Sequence, residues 1–228
     1  MQKVRRAFAR PLRSSGRAWN GEPFSYQGEF YRFEHAMVSP RPYQLPHPPI
    51  RMAATNEETF PLIARLGLSL FVGLRGMGIP ELRTHVQAYR KAWHEAGHAG
   101  EPSVHLRIPV YAGATEKAAV AEPYESIMYY FRRQADLTRS AAGRAGTGPA
   151  ERRHARAEEL SNLAYEQALK TRVAFGSAAG LVDRLTELRE ELGLDGIVAE
   201  LNPGGLIPAE LETRSLHILT HEVMPAFK

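Results

Sequence analysis

The sequence contains no cysteine, which excludes disulfide bonds and metal sites with thiolate ligands. This composition is typical of a reducing compartment, so we expect a cytoplasmic location. No apolar run approaches the roughly 20 residues that a membrane-spanning helix needs, and we expect no membrane partner. The sequence also lacks the glycine-rich motif of dinucleotide-binding proteins, and it gives no basis for predicting a Ser-His-Asp catalytic triad.

Acidic residues are missing from the start of the chain. Six basic residues precede the first acid, Glu22, and they are Lys3, Arg5, Arg6, Arg10, Arg13 and Arg17. Such a start resembles an organelle transit peptide, or it could contact nucleic acid. The net charge of the whole chain is only +4. We therefore predict a solvated basic segment over residues 1–23 and no nucleic-acid partner.

What remains is an ordinary globular composition in which strands and helices alternate. At 228 residues, with 43% hydrophobic and 24% charged residues, the chain most simply forms one domain, residues 24–228. Residues 24–38 predict an irregular hairpin or extended arm, and residues 139–150 predict a mobile loop. The predicted strands are residues 50–54, 68–72, 104–112 and 196–201. The predicted helices are residues 57–66, 79–96, a helix from 115, 151–170, a helix from the turn at 176–177 to 192, and 209–223.

This alternation predicts an α/β fold with parallel strands in right-handed βαβ units. A closed (β/α)₈ barrel needs eight such units, and four are visible. The chain is therefore expected to form about half of a barrel or a small open sheet. Such an arrangement leaves two sheet edges to be covered by a partner, by self-association or by the arm.

The junction between the strand at 50–54 and the following helix is a candidate phosphate site. Thr55 and Asn56 stand where a helix begins, and Thr59 lies one turn beyond Thr55. Free backbone N–H groups and the helix dipole favour an anion there, although a plain helix cap explains the same residues. A second candidate is the Asn-Pro-Gly-Gly sequence at 202–205, which could equally be a turn whose glycines adopt positive φ.

Three further patterns have both a functional and a structural interpretation. His94-Glu95-Ala96-Gly97-His98 matches a zinc-peptidase signature, but Gly97 and Pro102 favour a helix end with histidines at its C-terminus. His217 and His221 form another pair with no reason to meet the first. The aromatic residues Tyr124, Tyr129, Tyr130 and Phe131 could line a pocket or form core. Arg75 could meet an anion or be a solvated loop residue.

Several motifs, taken in order, resemble the bacterial luciferase-like flavin monooxygenases. They are residues 24–31 (Phe-Ser-Tyr-Gln-Gly-Glu-Phe-Tyr), 40–44 (Pro-Arg-Pro-Tyr-Gln), 48–67, 175–177, 192–195, 201–205, 215–216 and 222–225. Each motif alone is weak, and their order and spacing carry the resemblance. It covers nearly everything from Phe24 to Lys228.

The resemblance implies a TIM barrel that binds reduced flavin mononucleotide (FMN) or a deazaflavin coenzyme and uses O₂ to oxidise a small organic substrate. Matched residue by residue, it places Thr55, Asn56 and Thr59 at the flavin phosphate and Gly73 and Leu74 near the isoalloxazine ring. It assigns no catalytic residue and no metal ligand in this chain.

The chain differs from the family in one respect that bears on its expected activity. The family's first four strands, which carry its catalytic histidine or cysteine, have no counterpart here. The chain thus resembles the C-terminal portion of such an enzyme, and we expect it to be a truncated form of one. Its expected partner is a second copy of the same chain or another polypeptide that completes the barrel. The alternative is a non-catalytic, flavin-binding or partner-completing half-barrel.

Overall fold

The computed structural model of the protein describes residues 18–29, 31–45, 47–142 and 147–228. Most of the basic segment predicted over residues 1–23 lies outside these described residues. The arm is confirmed as an antiparallel hairpin of β1 (Phe24–Gln27) and β2 (Arg32–Ala36), in which Tyr26 faces Phe33 across the ladder. No described helix is both long and apolar enough to span a bilayer.

The predicted α/β fold with a parallel sheet is confirmed. Its strands are β3 (Arg51–Ala53), β4 (Ser69–Gly73), β5 (Val104–Ala112), β6 (Ala174–Gly176) and β7 (Gly196–Glu200). The order runs β3-β4-β5, and the long β5 pairs with both β7 and β6. Within the described residues, β3 pairs only with β4 and β7 only with β5. Both strands therefore present an outer edge.

Eight α-helices lie wholly within the described residues. They are α1 (Thr59–Arg65), α2 (Ile79–Glu95), α3 (Glu116–Ala121), α4 (Tyr124–Ala142), α5 (Thr147–Ser161), α6 (Tyr165–Thr171), α7 (Ala178–Leu192) and α8 (Ala209–Ile218). Local signals fix several ends as predicted. Thr115 accepts a hydrogen bond from the Ala118 N–H at 3.1 Å and so caps α3. Gly193 ends α7 in the left-handed region, with φ 62°.

Three details of the predicted order are wrong. The sheet has a fifth parallel strand, β6, because three residues are too short to show a strand pattern in sequence. Residues 139–142 and 147–150 are helical rather than loop, since α4 and α5 pack together along their length. The helix predicted over 151–170 is broken at 162–164, where Leu163 turns into the core. The final helix does cover the predicted residues 209–223, although its last turn, Leu219–Val223, is a π-helix, and it continues as a 3₁₀-helix at Met224–Phe227.

The two faces of the sheet differ in chemistry, as alternation along a strand requires. Leu70, Val72, Leu106 and Ile108 point into the main core with the helices. The opposite face carries polar groups, among them Arg51 and His105, whose side chains lie 3.2 Å apart. A second apolar cluster joins α4, α5 and α6 through Phe131, Leu160 and Ala168. This cluster fixes the helices α4–α6 beside the carboxyl ends of β3 and β4.

Candidate functional site

The strand–helix junction after β3 holds the three residues predicted to bind phosphate. The Ala54 N–H donates to the Phe71 oxygen at 3.1 Å, so the chain leaves the sheet at Thr55. Thr59 Oγ1 donates to the Asn56 carbonyl at 2.7 Å and lies 2.8 Å from Asn56 Oδ1. Asn56 and Thr55 are exposed. The structure thus brings Asn56 and Thr59 into contact, whereas their role at a phosphate stays a prediction.

The interpretation of Thr55 and Asn56 as a helix cap is wrong. Helix α1 begins at Thr59, its N-cap position is Glu58, and no side chain makes a cap hydrogen bond. Residues 57 and 58 form a turn instead, because the Thr59 N–H and hydroxyl both donate to the Asn56 carbonyl. The Asn56 side-chain oxygen is therefore held against the Thr59 hydroxyl rather than against an N–H of the helix.

The two residues predicted near the flavin ring have different surroundings. Gly73 ends β4 and pairs with Arg107 of β5, and a Cβ atom there would lie 3.4 Å from the Arg107 oxygen. Leu74 is 2% exposed and packs in the main core. Its side chain therefore cannot line an open site, and only Gly73 faces the adjoining cavity.

That cavity lies at the carboxyl ends of β3 and β4 and has a volume of about 290 Å³. The sheet contributes an apolar floor of Ala53, Phe71 and Gly73. The loop after β4 forms one side, and the α4–α5 pair contributes Gln134, Thr138, Arg156 and Leu160. The carboxyl ends of parallel strands are where α/β barrels place their active sites. This cavity is therefore the candidate functional site.

Three arginines are the only charged residues of the described cavity lining: Arg75, Arg107 and Arg156. The sequence pointed to Arg75 but missed the other two. Arg107 had a detectable signal, because it is a charged residue within the mostly apolar β5. Arg156 had none, since its position depends on how α5 packs.

Each of these guanidinium groups has a contact within the protein. Arg107 forms an ion pair with Glu200 of β7, whose side chain is 13% exposed. Arg75 donates to Gln134 Oε1 at 3.2 Å, and Arg156 donates to the Gly76 carbonyl. The Tyr130 hydroxyl lies 3.5 Å from Glu200 Oε1. Burial raises the pKa of Tyr130, and the charge of Glu200 raises it further, so this phenol stays protonated.

The loop between β4 and α2 is held from behind by a buried arginine. Arg172, at the end of α6, is 6% exposed and donates to the carbonyls of Leu74 and Met77. It also pairs with Glu159 of α5. These contacts fix the loop that carries Arg75 against the helices that carry Arg156.

The other sequence candidates lie elsewhere. In the turn at 202–205, Gly204 and Gly205 have φ of 104° and 75°, and both side-chain groups of Asn202 bond to Ile207. Helix α2 ends at Glu95, and the His98 ring packs 4.9 Å from Trp93, so His94 and His98 share no helical face. Tyr130 and Phe131 are core residues, while Tyr124 and Tyr129 are exposed away from the cavity.

Comparison with known proteins shows which protein family the chain matches. A family model described as luciferase-like monooxygenase matches residues 12–196. The oxygenase component of the flavin-dependent trigonelline monooxygenase from Acinetobacter baylyi is 23% identical over 217 residues, which is 92% of this chain and 56% of that protein. The FMNH₂-dependent dimethylsulfone monooxygenase of Pseudomonas putida is 28% identical over 103 residues, or 45% of this chain and 27% of that protein.

Solved structures show the same fold. The oxygenating constituent of 3,6-diketocamphane monooxygenase from Pseudomonas putida, in complex with FMN, superposes with a TM-score of 0.67 at 21% identity. The coenzyme F420-dependent tetrahydromethanopterin reductase from Methanopyrus kandleri gives 0.63 at 18% identity. The matches cover 92% and 93% of this chain and 60% of each of those chains. The chain thus spans a little over half the length of these proteins.

Proposed function

Because the chain belongs to the luciferase-like monooxygenase family, we propose that it binds reduced FMN, or a deazaflavin coenzyme in its place, and serves the oxidation of a small organic substrate by O₂. The observation that carries this proposal is the cavity at the carboxyl ends of β3 and β4, next to the hydroxyl and amide groups of the β3–α1 junction. Residues 24–228 form the family domain in this proposal, and residues 1–23 a separate basic segment.

The residues present fit a flavin. The flat faces of its ring match the floor of Phe71 and Gly73, while its phosphate matches the hydroxyl and amide groups of Thr55, Asn56 and Thr59. We assign the phosphate to these three residues, the ring to Gly73 and to the backbone of Leu74, and no catalytic residue to this chain. When bound, the flavin supplies the oxygen-activating chemistry. The chain's own residues orient it and exclude water around it.

The proposed partners are the substrate, O₂ and a second polypeptide, either another copy of this chain or a completing one. The outer edges of β3 and β7 support the second polypeptide, because unpaired strand edges are normally covered. The lack of cysteine supports a cytoplasmic location. The same edges favour one alternative function, a flavin-binding half-barrel that is not catalytic by itself.

The test compares FMN with riboflavin, which has the same ring but no phosphate. We expect the chain to bind FMN more tightly than riboflavin. In this proposal the Thr59 hydroxyl turns from the Asn56 carbonyl to the phosphate when FMN binds, so Thr59→Val should raise the Kd for FMN about tenfold through the loss of one charge-assisted hydrogen bond. The variant should leave the Kd for riboflavin unchanged. Thr213→Val on α8 is the control, because it removes a hydroxyl that likewise donates to a backbone carbonyl but lies away from the proposed phosphate position.

Equal affinity for FMN and riboflavin would remove the phosphate assignment.

A second measurement separates the enzyme from the non-catalytic alternative. Reduced FMN bound to the chain is mixed with O₂, and its reoxidation is followed by stopped-flow absorbance. A rate that differs from that of free reduced FMN supports a working site, and an identical rate supports the non-catalytic half-barrel.

A further inference from the structure

The positive charge of the cavity has no role in the proposed binding of the flavin. Arg75, Arg107 and Arg156 come from three different parts of the chain, yet all three line the same space of about 290 Å³. The other polar side chains of the described lining are Thr55, Gln134 and Thr138, which are neutral. The described part of the cavity wall therefore carries positive charge and no carboxylate.

Among the described residues, Arg107 is the only one of the three arginines that forms an ion pair with a carboxylate. Glu200 pairs with Arg107 from outside the cavity lining. The hydrogen bonds of Arg75 and Arg156 go to neutral oxygens, those of Gln134 and of the Gly76 backbone. Both residues are half-buried, so solvent screens their charge less than it would at a fully exposed site. Two guanidinium groups thus remain available to an anion that enters the cavity.

The cavity also differs from the assigned phosphate position. Thr55 lies at its rim, but Asn56 and Thr59 are not part of its lining. A phosphate held by Asn56 and Thr59 leaves the guanidinium groups of Arg75 and Arg156 for a second anion. The volume is at the lower limit of ligand cavities, which suits a small organic molecule.

We propose that Arg75 and Arg156 bind the anionic group, a carboxylate or sulfonate, of the substrate that this protein oxidises. The proposal rests on the proposed function, because it assigns the anion to the substrate rather than to the flavin. Guanidinium groups suit this task, since they present paired N–H donors that match two oxygens of a carboxylate or sulfonate. The apolar floor beside them, Phe71 and Gly73, would receive the rest of the molecule.

The test uses benzoate and its neutral isostere benzamide as probes of the full chain, measured by calorimetry with and without saturating FMN. We expect benzoate to bind at least tenfold more tightly than benzamide, also when FMN is bound. Arg75→Gln and Arg156→Gln should each weaken benzoate about tenfold, while Arg75→Lys retains part of the affinity. Arg153→Gln is the matched control, because Arg153 lies on the same helix, outside the cavity, and is exposed.

The outcomes separate this inference from the proposed function. Benzoate that binds no better than benzamide, in a chain that does bind FMN, overturns the anion site alone. Competition between benzoate and FMN, with Arg75→Gln weakening FMN but not riboflavin, assigns the arginines to the flavin phosphate and overturns the substrate assignment. Arginine-dependent benzoate binding without flavin binding overturns the proposed function and supports the anion site. Circular dichroism of each variant confirms that it is folded.

Discussion

His105 is a titratable residue of the sheet face opposite the helices, and its surroundings oppose its protonation. Its ring lies 3.2 Å from Arg51 and 3.1 Å from the Ser103 hydroxyl. Burial lowers the pKa of His105 and the charge of Arg51 lowers it further, whereas Asp195 raises it by less. A neutral imidazole can accept a hydrogen bond from the Arg51 guanidinium, but an imidazolium cannot.

This environment predicts a loss of stability in mild acid. The unfolded chain binds a proton at His105 near the ordinary pKa of about 6.5, and the folded chain binds it only at lower pH. The stability that depends on neutral His105 is therefore fully present above that value and falls as the pH drops below it. We expect the urea midpoint to decrease less between pH 7 and pH 5 in His105→Gln than in the parent chain. His154→Gln, an exposed histidine of α5, is the control. Equal slopes for parent and His105→Gln would contradict the prediction.

Arg172 shows how one side chain connects several elements. From the end of α6 it reaches the loop between β4 and α2, donates to the Leu74 and Met77 carbonyls and pairs with Glu159. The loop has no helix or strand hydrogen bonds of its own. Its conformation, and with it the position of Arg75, therefore depends on these contacts.

Arg172→Met should lower the free energy of unfolding by about 2–4 kcal/mol, because it leaves two carbonyls without their donor in a buried site. Glu159→Gln should cost less than about 1 kcal/mol, since the Glu159 side chain is 52% exposed. Urea unfolding followed by circular dichroism measures both. Arg139→Met, which removes an exposed ion pair on α4, is the control. A larger loss for Glu159→Gln than for Arg172→Met would show that the ion pair, rather than the carbonyl contacts, holds the loop.

The elements that sequence reasoning found are those with strong local signals. The strand at Val104–Ala112 was predicted to the residue, and Thr115 and Gly193 mark helix ends through their own conformation. The errors occur where packing overrides the local signal. Strand β6 forms because Ala174 and Phe175 pair with β5, and α4 continues past Arg139 because α5 covers it. Strand β5 is distant from β6 in sequence, and the contact between the consecutive helices α4 and α5 depends on how they pack, so no local pattern reveals either one.

The same reason limits prediction of the site. Asn56 and Thr59 lie three residues apart and could be grouped from sequence. Arg75, Arg107 and Arg156 meet only after the sheet and the α4–α5 pair have assembled. The family resemblance, which the comparisons confirm, fixed the fold class and indicated a flavin. It could not indicate the charge of the cavity, because the three arginines lie outside the motifs that carry the resemblance.

For the whole molecule, exposed apolar residues are concentrated in the arm and in the segment that follows it, up to Leu45. The large hydrophobic side chains that are at least 40% exposed between residues 31 and 45 are Tyr31, Phe33, Met37, Val38, Tyr43 and Leu45. Tyr43 and Leu45 are the extreme cases, with 98% and 93% exposure. Concentrated apolar surface of this kind marks an interaction site. Together with the outer edges of β3 and β7, it favours association with a second copy of the chain.

We expect the chain to dimerise in the micromolar range, and Tyr43→Gln/Leu45→Gln to weaken the dimer. Each side chain that becomes buried in an interface contributes about 1.5–3 kcal/mol, so the double variant should raise the dimer Kd by at least about a hundredfold. Sedimentation velocity over a range of concentrations measures this Kd. The matched control is Tyr129→Gln/Leu137→Gln, which removes the same two residue types from exposed positions of α4. Equal weakening by both double variants would mean that association is a general effect of surface hydrophobicity. A dimer Kd that is unchanged in Tyr43→Gln/Leu45→Gln would place the interface at the sheet edges instead.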